Sequence, residues 1–341
     1  MKRPVEDGDV ARARRQAPSA MTMADLAALA GVSKITVSRA LRDSSLVREE
    51  VRHRIKHLAE EHGYRLNAAA RSLRTRRAHS VTAVIEMDPT TDRPYSEPLV
   101  LTVIGGLLQA FATQGYRLVL TTRSEVMSTA SALDADGVIL LGQGPNDEAF
   151  RQIRKFPLPL VVWGSAHTAF DDVAFVGSDN REGGRLVGHH LASLGRRRLL
   201  FLGDVAHEEV AERLVGVSEA TGSFGAEVTT LVCPFSREAA RAVVARQITG
   251  GPAFDAIIGC SDPMALGALD ALEAAGRQTP GDVAVTGYDD AIHDMRLTTV
   301  RQDWDLAGRT LAGKMVDLLA GRAVMSTLLP VELVVRSTTQ A

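Results

Sequence analysis

Aromatic side chains are scarce in this 341-residue chain: 2 Trp, 4 Tyr and 9 Phe, or 4% of its residues. Hydrophobic residues still make up 45%, so the core must be mainly aliphatic and the balance is globular, far from disorder. Cysteine is scarcer still. Cys233 and Cys260 stand far apart in apolar, strand-like settings. They are too few for a disulfide framework or a zinc site and read as buried small hydrophobes. No apolar run approaches the ~20 residues a membrane span needs. The first twenty residues are Arg-rich, mixed with Glu6, Asp7 and Asp9, and lack the apolar segment of a secretory signal. A soluble cytoplasmic protein without membrane contact is expected.

Enzyme signatures are missing as well. Val81–Ile85 runs into Glu86-Met87-Asp88-Pro89 with no Gly-rich phosphate turn. There is no P-loop, no G-x-S-x-G elbow and no H-E-x-x-H. His189-His190 falls in a helix pattern with no third ligand nearby, which favours a surface or packing role. No enzymatic activity and no cofactor or metal is expected.

What the chain does have is lopsided charge. Residues 1–80 carry 17 Lys/Arg and 9 Asp/Glu, and the remainder carries 22 and 32, so the overall −2 hides +8 and −10. That asymmetry points to a polyanion partner for the first segment only. Residues 1–20 read as a disordered basic tail, but ordered patterns follow it.

Thr22 with Asp25 three residues on has capping-box character, and Leu26, Ala27 and Ala30 make a short apolar stripe. Gly31 offers a left-handed stop. Ser33 then caps a second helix with Val37, Ala40 and Leu41 inward, leaving Lys34, Ile35, Ser38 and Arg39 pointing out. Two short helices around a Gly-containing turn are a helix-turn-helix signature. The outward Ile35 is odd on a solvated face; contact with a thymine methyl would account for it. A third helix is expected from about Arg48 to His62, with Val51, Ile55, Leu58 and Ala59 inward and Gly63 as stop. Beyond it, Asn67 caps a segment too short to be a stable helix alone. There Leu73 is framed by Arg71, Arg74, Arg76 and Arg77. Minor-groove insertion needs such an apolar wedge, and a plain linker is an equal alternative.

From Val81 strand and helix patterns alternate. Buried parallel strands are expected at Val81–Ile85, Leu118–Leu120, Val138–Leu141, Leu160–Trp163, Leu199–Leu202, Ala256–Ile258 and Val283–Thr286. Helices fall at Glu97–Thr113, Asn146–Lys155, Arg181–Leu194, Arg237–Ile248 and Pro263–Ala275. This is a doubly wound α/β plan long enough for two similar lobes. Ligands bind beyond the carboxyl ends of such strands, which here means Glu86, Trp163, Asp204, Phe235, Ser261, Asp262 and Asp289. Carboxylates and hydroxyls suit a polyol, and the two aromatics suit apolar ring faces. Asp262 could instead cap the helix from Pro263.

The run Gly31-Val32-Ser33-Lys34-Ile35-Thr36-Val37-Ser38-Arg39 with Asn67 to Leu73 resembles the lactose repressor (LacI/GalR) family. So do Val176 to Gly184, Ser261 to Gly267, Gly287-Tyr288-Asp289-Asp290 and Leu297 to Gln302. The resemblance implies a helix-turn-helix module at 21–66, a hinge at 67–80 and a two-lobed, periplasmic-binding-protein-like body at 81–341. Its N-lobe would be about 81–178 with 303–325, and its C-lobe about 179–302 with 326–341. A transcription regulator, most commonly a repressor, is implied, binding pseudo-palindromic operator DNA as a homodimer under control of a small molecule such as a sugar. Ser33, Lys34, Ile35, Thr36, Ser38, Arg39, Asn67, Ala70, Leu73 and Arg74 would contact DNA. Glu86, Trp163, Arg213, Phe235, Ser261, Asp289 and Trp304 would bind the effector. Ser261 stands where Asn is common in the family, and Trp163 where a polar residue is common. The chain ends after Val331–Arg336 without a heptad tail, which implies a dimer rather than a tetramer. A transport sugar-binding protein would share the body, but the basic first segment argues against it.

Overall fold

The computed structural model describes residues 21–64, 77–86, 95–128, 133–165, 173–251, 253–292 and 294–340. The expected tail at 1–20 and the hinge residues Asn67, Ala70, Leu73 and Arg74 lie outside them. The chain forms two compact units, divided between Arg76 and Arg77.

The first unit holds three helices: α1 (Met23–Leu29), α2 (Lys34–Ala40) and α3 (Glu49–Glu61). Thr22 and Asp25 close the capping box. The Asp25 N–H donates to Thr22 Oγ1 (3.3 Å), and the Thr22 N–H donates to Asp25 Oδ2 (2.9 Å). Gly31 takes φ +64°, the left-handed turn between α1 and α2. Ser33 Oγ accepts from the Thr36 N–H at 3.1 Å and starts α2. Leu26, Ala27, Ala30, Val37, Ala40, Val47, Ile55 and Ala59 bury together as the core. Arg54 Nη2 donates to the Ala30 carbonyl (2.9 Å), tying α3 to the end of α1.

The second unit contains two six-stranded sheets. The N-lobe sheet has the order β11-β5-β4-β3-β1-β2 and is parallel throughout. Its strands are β1 (Ser80–Ile85), β2 (Arg117–Thr122), β3 (Gly137–Leu141), β4 (Leu160–Trp163), β5 (Ala174–Ser178) and β11 (Thr327–Leu329). Helices α4 (Pro98–Gln114), α5 (Arg123–Ser128), α6 (Glu148–Ile153) and α11 (Trp304–Leu319) accompany it. The C-lobe sheet has the order β12-β10-β9-β8-β6-β7 and is parallel except for the β10–β12 pair. It comprises β6 (Arg198–Leu202), β7 (Glu227–Leu231), β8 (Ala256–Gly259), β9 (Ala284–Asp289), β10 (Thr298–Gln302) and β12 (Val331–Val334). With it go α7 (Asn180–Ser193), α8 (Glu208–Gly222), α9 (Arg237–Gly250) and α10 (Asp262–Ala274).

The chain passes between the sheets three times: from β5 into α7, from β10 into α11, and from β11 to β12. An aspartate starts the helix at each of the first two passages. Asp179 Oδ1 accepts from the Glu182 N–H (2.9 Å) and Asp303 Oδ1 from the Leu306 N–H (2.8 Å). The third passage corrects the expected lobe boundary near 326. β11 pairs with β5, so the N-lobe extends to Leu329 and Pro330 makes the crossing. A three-residue strand is too short to be read from periodicity.

Glycines let the helices of each lobe approach. A Cβ on Gly184 of α7 would run into the Arg213 carbonyl of α8, and one on Gly216 of α8 into the Arg181 carbonyl of α7. Gly308 of α11 likewise presses against the Val103 carbonyl of α4. Cys233 and Cys260 are buried and free, as expected, and burial pushes the Cys233 thiol up to about 11.

Candidate functional site: an outward helix and an interlobe cavity

In the first unit α2 turns one face outward. Ser33, Lys34, Ile35 and Arg39 are exposed, Ile35 at 63%, and Thr36 is half-buried with its hydroxyl against Ser33 Oγ (2.9 Å). Ser38 corrects the expectation of an outward side chain, being only 6% exposed. It lies three residues before Leu41, on the shoulder of the inward stripe, and is small enough to be covered there. A face with a cation at each end and an apolar side chain between them matches a base-edge reader: Arg39 can bond a guanine edge and Ile35 can meet a thymine methyl.

In the second unit a cavity of about 680 Å³ is lined from both sheets, by Glu86, Gln143 and Trp163 on one side and by Asp204, Arg213, Phe235 and Asp289 on the other. Gln302 and Trp304, at the second passage between lobes, complete its wall. Every one of these residues lies at or just beyond a strand's carboxyl end, except Arg213 on α8 and Trp304 at the start of α11.

Arg213 is only 7% exposed. Its Nε donates to Asn180 Oδ1 (2.9 Å) and its Nη1 to the Cys260 carbonyl (2.5 Å). The guanidinium stacks over the Tyr288 ring, 3.7 Å from the centroid. These contacts hold the fork against the cavity floor. Asp289 ends β9 with φ 111°, an unusual backbone for a side-chain-bearing residue. Gln302 Nε2 donates to its Oδ1 (2.6 Å), and Trp304 Nε1 donates to its carbonyl (3.2 Å). On the N-lobe side Arg123 Nε donates to Glu86 Oε2 (2.7 Å). Its Nη1 reaches Glu148 and Gln152 at 3.3 and 3.2 Å. The aromatic surface is paired: Trp163 with Trp304 at 5.3 Å, and His207 with Phe235 edge-to-face at 5.2 Å between ring centroids.

Of the expected effector residues, Glu86, Trp163, Arg213, Phe235, Asp289 and Trp304 meet at this cavity. Ser261 does not. It is 3% exposed, outside the cavity lining, and its buried hydroxyl has no hydrogen-bond partner. The position follows strand β8 as the rule required, but the backbone there is extended into the start of α10 and the side chain turns into the fold. Asp262 corrects a second reading. It does not cap α10; its Oδ1 accepts from Thr299 Oγ1 (2.6 Å) and its Oδ2 from the Ala291 N–H (3.1 Å). Burial, reinforced by the nearby Asp289 carboxylate, pushes its pKa up to about 8.

Sequence reasoning passed over Gln143, Asn180, His207 and Gln302. Asn180 and Gln302 sit inside the motifs Val176 to Gly184 and Leu297 to Gln302, and Gln143 follows the carboxyl end of β3, the strand-end signal for such a residue. His190, half of the histidine pair, packs: its Nε2 is 2.8 Å from Thr339 Oγ1. Among the described residues no cluster of metal-binding side chains occurs, and no helix is long and apolar enough to cross a membrane.

Residues 22–67 match the model of bacterial regulatory proteins of the lacI family, and residues 189–339 that of a periplasmic-binding-protein-like domain. The HTH-type transcriptional regulator CelR of Thermobifida fusca is 33% identical over 340 residues, spanning 95% of this chain and 97% of CelR. A solved CelR–cellobiose complex superposes with a TM-score of 0.70 at 29% identity over 93% of this chain and 99% of that one. The Lac repressor dimer bound to operator and the anti-inducer ONPF shares the fold, with a TM-score of 0.78 at 23% identity over 94% and 99% of the two chains. The outward α2 face, the interlobe cavity and this full-length likeness agree: the chain belongs to the LacI family of bacterial transcription regulators.

Proposed function

We propose that this regulator binds a pseudo-palindromic operator as a homodimer and that a neutral sugar in the interlobe cavity sets its operator affinity. The carrying observation is that one cavity gathers a buried arginine and a buried aspartate, Arg213 and Asp289, with the Trp163–Trp304 corner. Arginine and carboxylate serve neighbouring hydroxyls in directions that a sugar ring presents, while indole faces cover its C–H surface. A volume of about 680 Å³ lies within the ~300–1,000 Å³ of small-molecule sites and leaves room for a disaccharide. The cellobiose complex of CelR makes cellobiose the first compound to try.

On the DNA side, Ser33, Lys34, Ile35, Thr36 and Arg39 are the proposed contacts of α2, and a symmetric dimer would place two copies on two half-sites. Asn67, Ala70, Leu73 and Arg74 are proposed as hinge contacts in the minor groove. Repression relieved by the sugar, action in the cytoplasm and the absence of catalysis complete the reading. Fluorescence anisotropy of the protein on DNA from upstream of its own gene, with and without cellobiose, tests it. Specific binding weakened by millimolar cellobiose supports the whole reading. Specific binding indifferent to cellobiose and related disaccharides rejects the effector, and absence of specific binding rejects the operator.

A further inference from the structure

Besides the Trp304–Asp289 contact at the second passage, hydrogen bonds away from the crossings join the lobes beside the cavity among the described residues. Ser165, two residues after β4 in the N-lobe, donates its hydroxyl to Glu212 Oε2 on α8 at 2.9 Å. The Asn146 N–H, in the loop after β3, donates to the Ala206 carbonyl of the C-lobe at 2.8 Å. Both N-lobe partners are held by one side chain or its neighbours. The Ser165 N–H donates to Gln143 Oε1 (2.6 Å), and Gln143 Nε2 donates to Asp147 Oδ1 (3.1 Å).

The loop that carries them has a costly backbone. Gly142, Gly144, Asn146 and Asp147 all have positive φ, at 96°, 72°, 50° and 57°. Two of the four are not glycine, and such residues persist in this region only where the surroundings hold them. Gly142, Gln143 and Gly144 also line the cavity. Glu212 directly precedes Arg213 on α8, so the side chain that receives Ser165 and the one that faces the cavity share a helix turn. Ser165 itself is buried, and burial raises the Glu212 carboxyl above its ordinary range, opposed by its hydrogen bonds to Ser165 and Asn180.

We propose that Ser165 and Glu212, with the Asn146–Ala206 bond beside them, form a clasp that holds the two lobes closed around the cavity. Glu212 is a positioning residue: it sets the lobe separation at which Arg213 meets a ligand. A ligand shifts such a protein only by its preference for one lobe arrangement over another. The clasp therefore determines how much closure remains for the effector to drive. The effector arm of this inference rests on the cavity being the sensing site; the lobe-distance arm does not.

The test places spin labels at Gln114→Cys and Glu273→Cys, both exposed and one in each lobe, in the full-length protein without sugar. The native cysteines are buried and stay unlabelled. Double electron–electron resonance should give a narrow distance population for the parent and a longer, broader one for Ser165→Ala and for Glu212→Ala. Glu212→Gln keeps an acceptor for the hydroxyl and should restore the parent distribution. The double variant should be no wider than either single one, because both remove the same bond. In cellobiose titrations the two alanine variants should show a dissociation constant raised about threefold to tenfold, the range the net loss of one ordinary hydrogen bond supports. An unchanged distribution in Ser165→Ala, or a Glu212→Gln population as broad as that of Glu212→Ala, overturns the clasp. A parent that ignores cellobiose overturns the proposed sugar, and the distances still decide the clasp.

Discussion

Trp163 and Trp304, the only tryptophans in the chain, stand 5.3 Å apart between ring centroids and both line the interlobe cavity. Tryptophan emission is therefore a direct report on the cavity. Cellobiose should change it saturably, and Trp163→Phe should lose part of the signal while raising the dissociation constant about twofold to tenfold, as for loss of an aromatic contact of ~0.5–1.5 kcal/mol. Emission unaffected by any sugar that alters DNA binding would place that sugar elsewhere.

Arg39 is exposed on the outward face of α2. Arg39→Ala should cost ~1–3 kcal/mol of discrimination on the operator and much less on random DNA. Competition gel shifts measure both, and equal losses would reduce Arg39 to a phosphate contact. Exchanges at Lys34 and Ile35 should change the preferred half-site without abolishing binding.

Asp289 receives Gln302 Nε2 at 2.6 Å on a backbone with φ 111°. Asparagine tolerates that backbone better than most residues and keeps an acceptor oxygen. Asp289→Asn should melt close to the parent and bind the operator, yet fail to respond to sugar. A melting temperature several degrees lower, with weaker DNA binding, would make Asp289 a structural tie of its loop.

Asp262 is buried with its pKa pushed up to about 8, against 3.8 for an ordinary aspartate. Its folded form thus holds a proton that the unfolded chain releases above about pH 4. Stability from this group is full below that pH and is lost as pH rises toward 8. Melting temperature should therefore fall between pH 5 and 8 more steeply in the parent than in Asp262→Asn. Parallel profiles would mean Asp262 is ionised in the fold.

Gly184 lies where α7 meets the Arg213 carbonyl of α8, so an added methyl has no room. Gly184→Ala should destabilise by ~1–3 kcal/mol, as overpacking does, and should weaken sugar binding by displacing Arg213. Urea unfolding with a parallel titration checks both effects.

Local signals were legible because local chemistry decides them. Thr22, Asp25, Ser33 and Gly31 set the caps and the turn of the first unit within a few residues of where they act. The aliphatic runs of β1, β3, β4, β6 and β8 were equally readable, since strands covered on both faces must be apolar throughout. β10 was missed because its Thr298 and Thr299 are polar yet buried, satisfied by Thr339 and Asp262 from distant parts of the chain.

By itself the sequence determined the helix-turn-helix, the doubly wound plan and most of the side chains at the cavity. These follow from spacing, capping and the rule that ligand groups sit at strand carboxyl ends. Tertiary structure alone decided which strand-end side chains face the cavity. It turned Ser261 inward, buried Ser38 on the shoulder of α2, and joined Ser165 to Glu212 across the lobes. The physical reason is range: caps and periodicity act over a few residues, whereas a side chain's direction at a cleft depends on partners tens to hundreds of residues away in the chain.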